Sequence, residues 1–189
     1  MKIYTVNPDT NYRFIFPEES VYAAQNWKFV GEPLVKILPK QFKAHYKLNS
    51  KKPIPDIALL GMRAFAFREE VATELSEILE EAGEVLPFWI DDELWYFLNI
   101  LDISEDSLVE DKCEYEVDDE ESRFGLIKWY FDTSKIKSKS LFKIPNDNFT
   151  FTYCIDRRGS DEEVMSNFFC AVAAHGYTGL EFEEVFSDE

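Results

Sequence analysis

Hydrophobic periodicity changes twice within residues 150–186, and that change limits the chain to folds in which strands and helices pack on one another. Thr150-Phe151-Thr152-Tyr153-Cys154-Ile155 alternates with period two, as a half-buried strand does. Ser160-Asp161-Glu162-Glu163 then has the spacing of a capping box, with Ser160 three residues ahead of Glu163. The helix it opens carries Phe168, Phe169, Ala171, Val172 and Ala173, and it ends at His175-Gly176, where glycine suits a left-handed C-cap. Tyr177-Thr178-Gly179 turns the chain into a final strand, Leu180 to Phe186. Residues 65–90 echo this order. Phe65-Ala66-Phe67 reads as a strand, and Val71, Leu75, Ile78 and Leu79 form one apolar stripe of a helix over 68–82. Gly83 ends that helix before another strand. The expected fold class is therefore α+β: a mixed, largely antiparallel sheet with two main packed helices, 68–82 and 161–174. It is expected to form a single domain over 1–189 with two weakly similar strand-helix-strand units, 65–90 and 150–186.

The rest of the chain reads mainly as strands. Residues 1–6 and Phe14-Ile15-Phe16-Pro17 are extended, with a turn or helix at Glu18 to Ala24. Phe29-Val30 through Val35-Lys36-Ile37-Leu38 is expected to form one strand or two, and Pro33 hints at an edge. Pro87 to Ile90 and Leu94 to Leu101 make a hairpin across Asp91-Asp92-Glu93. Residues 112–117, 125–131 and 141–144 complete the set. Apolar residues make up 46% of the chain and aromatics 16%. A chain of this length then buries about 70% of its unfolded surface, and Leu75, Leu79, Phe168 and Val172 are expected inside.

Charge narrows the function. There are 37 acids against 20 bases, a formal net charge of -17. A phosphate backbone rewards a basic surface, so nucleic acid is not an expected partner. An acidic surface suits a basic protein partner, and it also simply confers solubility. The densest acidic run, Glu105 to Glu121, holds ten acids and one Lys. It lacks the turn glycine of a calcium loop. It reads either as a solvated loop or as a decoy surface for a basic active site, with Glu114, Glu116, Asp118, Asp119, Glu120 and Glu121 as the partner-binding candidates. Glu181, Glu183, Glu184, Asp188 and Glu189 make a second acidic cluster, in which Glu181 and Glu183 face one side of a strand and Leu180, Phe182 and Glu184 the other. The lysines segregate into 36–52 and 128–143, an asymmetry that favours a defined docking orientation or self-association.

The catalytic inventory is small. His45 lies in a basic stretch and His175 at a helix end, where it serves the helix dipole or chemistry. Cys113, Cys154 and Cys170 match no zinc spacing and read as thiols of a reducing cytoplasm, with Cys154 and Cys170 buried. No metal or other cofactor is expected, and no membrane span. The competing reading is a small cytosolic enzyme with a carboxylate site such as Asp91, Asp92 and Glu93. A third is an adaptor or scaffold for another protein.

Several motifs recur in a telling order. Ala66-Phe67-Arg68-Glu69-Glu70 begins the middle helix, and Gly83-Glu84-Val85-Leu86-Pro87-Phe88 follows it. Trp95-Tyr96-Phe97-Leu98-Asn99, Asp102, Ser107 and Ser140-Leu141-Phe142-Lys143-Ile144-Pro145 come next. Ser160-Asp161-Glu162 and then Gly176-Tyr177-Thr178-Gly179-Leu180-Glu181-Phe182 close the series. Together they resemble the immunity protein 11 family of bacterial polymorphic toxin systems, over roughly residues 60–186. The resemblance implies a non-enzymatic protein that binds a cognate protein toxin stoichiometrically and occludes it. Acidic side chains would meet a cationic cleft, with Trp95 or Trp129 as candidate aromatic anchors.

Overall fold

The computed structural model describes residues 1–22, 27–117 and 123–188. The fold is α+β and mainly β. The chain opens with strands β1 (Lys2–Pro8) and β2 (Ile15–Pro17), then helix α1 (Glu19–Tyr22) and strands β3 (Lys43–Tyr46), β4 (Ile57–Leu60) and β5 (Ala64–Arg68). Helices α2 (Glu69–Glu74) and α3 (Ser76–Ala82) lead to the hairpin β6 (Gly83–Ile90) and β7 (Glu93–Ile100). A second hairpin pairs β8 (Glu114–Val117) with β9 (Arg123–Lys128). The chain ends with β10 (Leu141–Phe142), β11 (Thr152–Asp156), α4 (Asp161–Met165), α5 (Phe168–His175) and β12 (Leu180–Ser187).

The strands divide into a closed six-stranded barrel, a four-stranded antiparallel sheet in the order β10-β11-β1-β12, and the separate β8–β9 pair. Most pairs are antiparallel, and the barrel is completed by parallel contacts, Ile15 with Leu60 and Ala44 with Ile90. Its interior shows why the sequence closes up. Ala44, Ala58, Ala64 and Ala66 leave room that Phe88, Trp95 and Phe97 fill together with Trp27, Phe29 and Phe42 from the segment before β3. That segment does not form the strands expected over 29–38. Leu34 and Leu38 turn inward instead, and Glu84 accepts the Leu34 N–H at 2.7 Å and the Asn99 Nδ2 at 2.9 Å. Asn99 also donates to the Glu32 carbonyl at 2.9 Å. A half-buried side-chain network thus satisfies the Leu34 N–H and the Glu32 carbonyl, backbone groups that a strand would have paired.

The helices lie between barrel and sheet. Val71, Leu75, Ile78 and Leu79 meet Ile57, Phe65 and Phe67 on the outside of the barrel and Val6, Leu141 and Cys154 on the sheet. Leu75, Leu79, Phe168 and Val172 are all buried. Each expected helix is divided in two. At Leu75 the backbone departs from helical values (φ -94°, ψ 10°), yet Leu75 N–H still reaches Val71 and Leu79 N–H still reaches Leu75, so the apolar stripe stays in register. The second break falls at Asn167, which starts α5 anew. The other sheet face is covered by Leu108, Phe131 and Ile136, with Phe131 packing on Phe142 and Tyr153.

The two strand-helix-strand units share a topology. β5 and β6 flank β7, and β11 and β12 flank β1, so each unit encloses one antiparallel strand. The capping box at Ser160 forms in part. Ser160 Oγ accepts the Glu163 N–H at 3.2 Å, while the Glu163 carboxylate turns to the Gly159 N–H at 2.7 Å. Asn167 carries more of the load. Its Oδ1 accepts the Cys170 N–H at 3.1 Å and its Nδ2 donates to Asp156 Oδ1 at 2.8 Å, with the residue 1% exposed. Asn167→Ala removes a cap and leaves a buried carboxylate short of a donor, so it should cost about 2 kcal/mol in urea unfolding. A loss within error of zero would show that water replaces both bonds.

Candidate partner-binding surface

The described part of the acidic run lies at the surface. Glu105, Asp106, Glu110, Asp111, Glu114 and Glu116 are all exposed. Strand alternation in β8 sends Glu114 and Glu116 outward, with Tyr115 half-buried between them. Glu114 pairs with Lys128 across the hairpin at 2.9 Å, with both side chains more than half exposed. The hydrogen bond to Glu114 raises the Lys128 pKa above its ordinary value, but a pair this wet contributes little to stability. Asp118, Asp119, Glu120 and Glu121 lie outside the described residues.

The second acidic cluster sits on β12, the edge strand of the four-stranded sheet. Thr5 faces Glu183, Asn7 faces Glu181 and Val6 faces Phe182, so Glu181 and Glu183 share one side and Phe182 turns to α5. A bulge at Val185 then shifts the register, and Glu184 reaches Lys2 at 2.8 Å. In the basic run 128–143, Lys128 and Lys139 are paired with Glu114 and Glu81 and Lys143 is buried, while Lys135 and Lys137 are exposed. The six lysines of 36–52 are all exposed.

Beside the β8–β9 hairpin runs a chain of polar groups, with Tyr153 buried and Trp129 and Asp147 half-buried. Trp129 Nε1 donates to Tyr153 Oη at 3.0 Å, and Tyr153 Oη donates to Asp147 Oδ2 at 2.8 Å. Asp147 also accepts the backbone N–H groups of Thr150 and Phe151. Lys143 Nζ donates to the Phe149 carbonyl at 2.8 Å. Burial raises the pKa of Asp147 and Tyr153 and lowers that of Lys143 to about 8. A cleft of about 550 Å³ separates this turn from Tyr115, Gly125 and Leu126 of the hairpin. Asn148 and Phe149 both adopt positive φ there, 60° and 57°. The polar groups spend their hydrogen bonds on the turn and on Trp129, so the arrangement fixes one wall of the cleft that faces the hairpin. A signal was present in the sequence, namely a lysine set within Leu141-Phe142-Lys143-Ile144.

The other candidates fall apart from one another. Asp91 and Asp92 form the exposed β6–β7 turn, with Asp91 at φ 51°, and Glu93 accepts from Tyr46 Oη at 3.3 Å. His175 ends α5 and stacks on Tyr177 with ring centroids 5.0 Å apart. His45 is exposed on β3. Cys154 is fully buried, and Cys170 is half-buried. Trp95 is corrected as an anchor: at 1% exposure it belongs to the barrel interior. Trp129 is half-buried and held by Tyr153. Among the described residues, no three His, Cys, Asp or Glu side chains converge as metal ligands, and no helix is long and apolar enough to cross a membrane. No protein-family model matches the sequence, and no curated protein does.

Proposed function

We propose that this protein neutralises a cognate, locally basic protein toxin by stoichiometric binding in the cytoplasm. The observation that carries the reading is the ordered set of motifs over residues 60–186 that resembles immunity protein 11 proteins. The exposed carboxylates of β8 and β12 support it, because they offer negative potential to a cationic cleft. The three free thiols suit a reducing compartment. The direct test is co-expression with the product of the neighbouring reading frame. A stable complex and rescue of growth support neutralisation, whereas a metabolic neighbour that forms no complex removes it.

The acidic run makes a kinetic prediction. Neutralising Asp118, Asp119, Glu120 and Glu121 together, to Asn or Gln, should slow association with the toxin on the order of tenfold at low ionic strength. The effect should shrink at about 0.15 M salt, where charges beyond roughly 8 Å are screened. Stopped-flow association measured against salt decides it. A salt-independent rate, or an unchanged quadruple variant, takes this run out of the interface.

A further inference from the structure

Among the described residues, the Leu180–Glu184 part of strand β12 is paired with a strand on one side only. Its partner is β1, and it ends the order β10-β11-β1-β12. The phase of the ladder tells which backbone groups face outward. Asp9 N–H donates to the Gly179 carbonyl at 2.9 Å, so that pair points its amides inward between the strands. Alternation then directs the N–H and C=O of Glu181 and Glu183 to β1, and those of Leu180, Phe182 and Glu184 away from it. Among the described residues, no backbone group bonds these outward amides. A free edge of this length is a template for another strand.

The side chains along the edge state what that strand must be. Glu181 and Glu183 are exposed on one face, two residues apart. Phe182 is half-buried on the other, its ring 5.0 Å from Phe169. A strand added here would place alternate residues beside the two carboxylates and the intervening ones beside Phe182. A second copy of this chain fits poorly, because carboxylates would meet carboxylates in a protein of net charge -17.

We propose that the Leu180–Glu184 edge docks an extended segment of the protein partner, basic at alternate positions and apolar between them. The inference rests on the reading of that partner as a cationic toxin, and it adds the place and mode of contact. Main-chain hydrogen bonds give affinity, and Glu181 and Glu183 select for lysine or arginine.

The test uses the full chain and a capped seven-residue peptide alternating lysine and valine. Amide exchange should slow at Leu180, Phe182 and Glu184, and binding should weaken as salt rises. Glu184→Pro removes an outward N–H while leaving the bonds to β1 intact, and Glu184→Ala removes the same carboxylate but keeps the N–H. The proline variant should bind the peptide about tenfold more weakly than the alanine variant. Should the proline variant lose its circular dichroism, the double variant Glu181→Lys, Glu183→Lys takes its place. It should lose the lysine–valine peptide and take up a glutamate–valine one. Equal affinities of the folded variants, protection outside 180–184, or self-association through β12 would overturn the proposal. A toxin complex that forms normally with these edge variants removes the edge and leaves neutralisation standing. A peptide that docks on β12 when the neighbouring gene product does not bind leaves the edge standing and removes neutralisation.

Discussion

Gly179→Ala should unfold this protein or bring it close to unfolding, with a loss of about 4 kcal/mol or more. Gly179 has φ 104°, and a Cβ there would lie 1.9 Å from the Ile57 carbonyl oxygen and 2.6 Å from Pro55 Cβ. The neighbouring groups cannot step aside. Ile57 N–H bonds the Thr178 carbonyl at 3.0 Å, Thr178 donates twice to Asp56 Oδ2 at 2.7 and 2.8 Å, and Asp9 N–H holds the Gly179 carbonyl. The turn after α5 is therefore stitched to the start of β4 and the end of β1, so a shift there disturbs barrel and sheet together. Gly176→Ala is the control. Gly176 is also left-handed, at φ 67°, but nothing lies within 4 Å of its added Cβ, so only the backbone strain of roughly 1–2 kcal/mol applies. In a chain of this size 4 kcal/mol corresponds to a melting shift of about 8–16 °C. Thermal unfolding of both variants tests the difference, and equal shifts would mean that the Ile57 contact relaxes freely.

These glycines also show which level of organisation the sequence recorded. The motifs that resemble immunity protein 11 proteins fall largely on scaffold positions. Gly176 caps α5, Gly179 meets β4, and Glu84 with Asn99 ties the 27–42 segment to the barrel end. Such residues hold the frame of this chain, while side chains such as Glu116 and Glu183 are exposed and left free by it. Periodicity revealed α2, α3 and α5 because each has one buried side and one exposed side, whereas the β6–β7 hairpin was marked by its acidic turn, since β7 is buried on both faces from Phe97 to Ile100. It missed β4, whose four residues are all buried between the barrel interior and the helices and so show no alternation. It missed β3 for the opposite reason, since only Ala44 is buried there among Lys43, His45 and Tyr46. Phe29, Leu34 and Leu38 suggested a strand, but apolar residues that plug a barrel end need no strand to carry them. Closure of the barrel depends on Ile15 meeting Leu60 and Ala44 meeting Ile90, contacts between residues far apart that no local pattern encodes. The charge of the acidic runs was plain in the sequence; that one of them borders an unpaired sheet edge depends on strand order alone.

Lys143 should make stability rise with pH over a range in which most proteins lose it. The residue is 3% exposed, and burial lowers its pKa from 10.5 to about 8, against the pull of Asp147 and with the help of Arg63. The unfolded chain then holds a proton on this amine between roughly pH 8 and 10.5 that the folded chain has released. Folding is consequently penalised in full below pH 8, and the penalty fades as the pH rises to the unfolded value, a span worth about 3 kcal/mol. Two buried groups act in the other direction. The Cys154 and Tyr153 pKa values are pushed up, so the stability they lend is lost as the pH climbs past about 9 and 10. Lys143→Met separates the contributions, because those two are common to both proteins and cancel in the difference. The variant gives up the bond to the Phe149 carbonyl, about 1 kcal/mol at every pH, and gains relief from the buried amine only where that amine is charged. It should therefore be the more stable protein at pH 7 by about 2 kcal/mol, and its advantage should shrink and reverse toward pH 10. Urea unfolding at pH 7, 8, 9 and 10 measures this. A difference that stays constant across the series would mean that Lys143 folds with its proton on, held by Asp147, and that the turn beside the acidic hairpin is an ion pair rather than a neutral amine on a carbonyl.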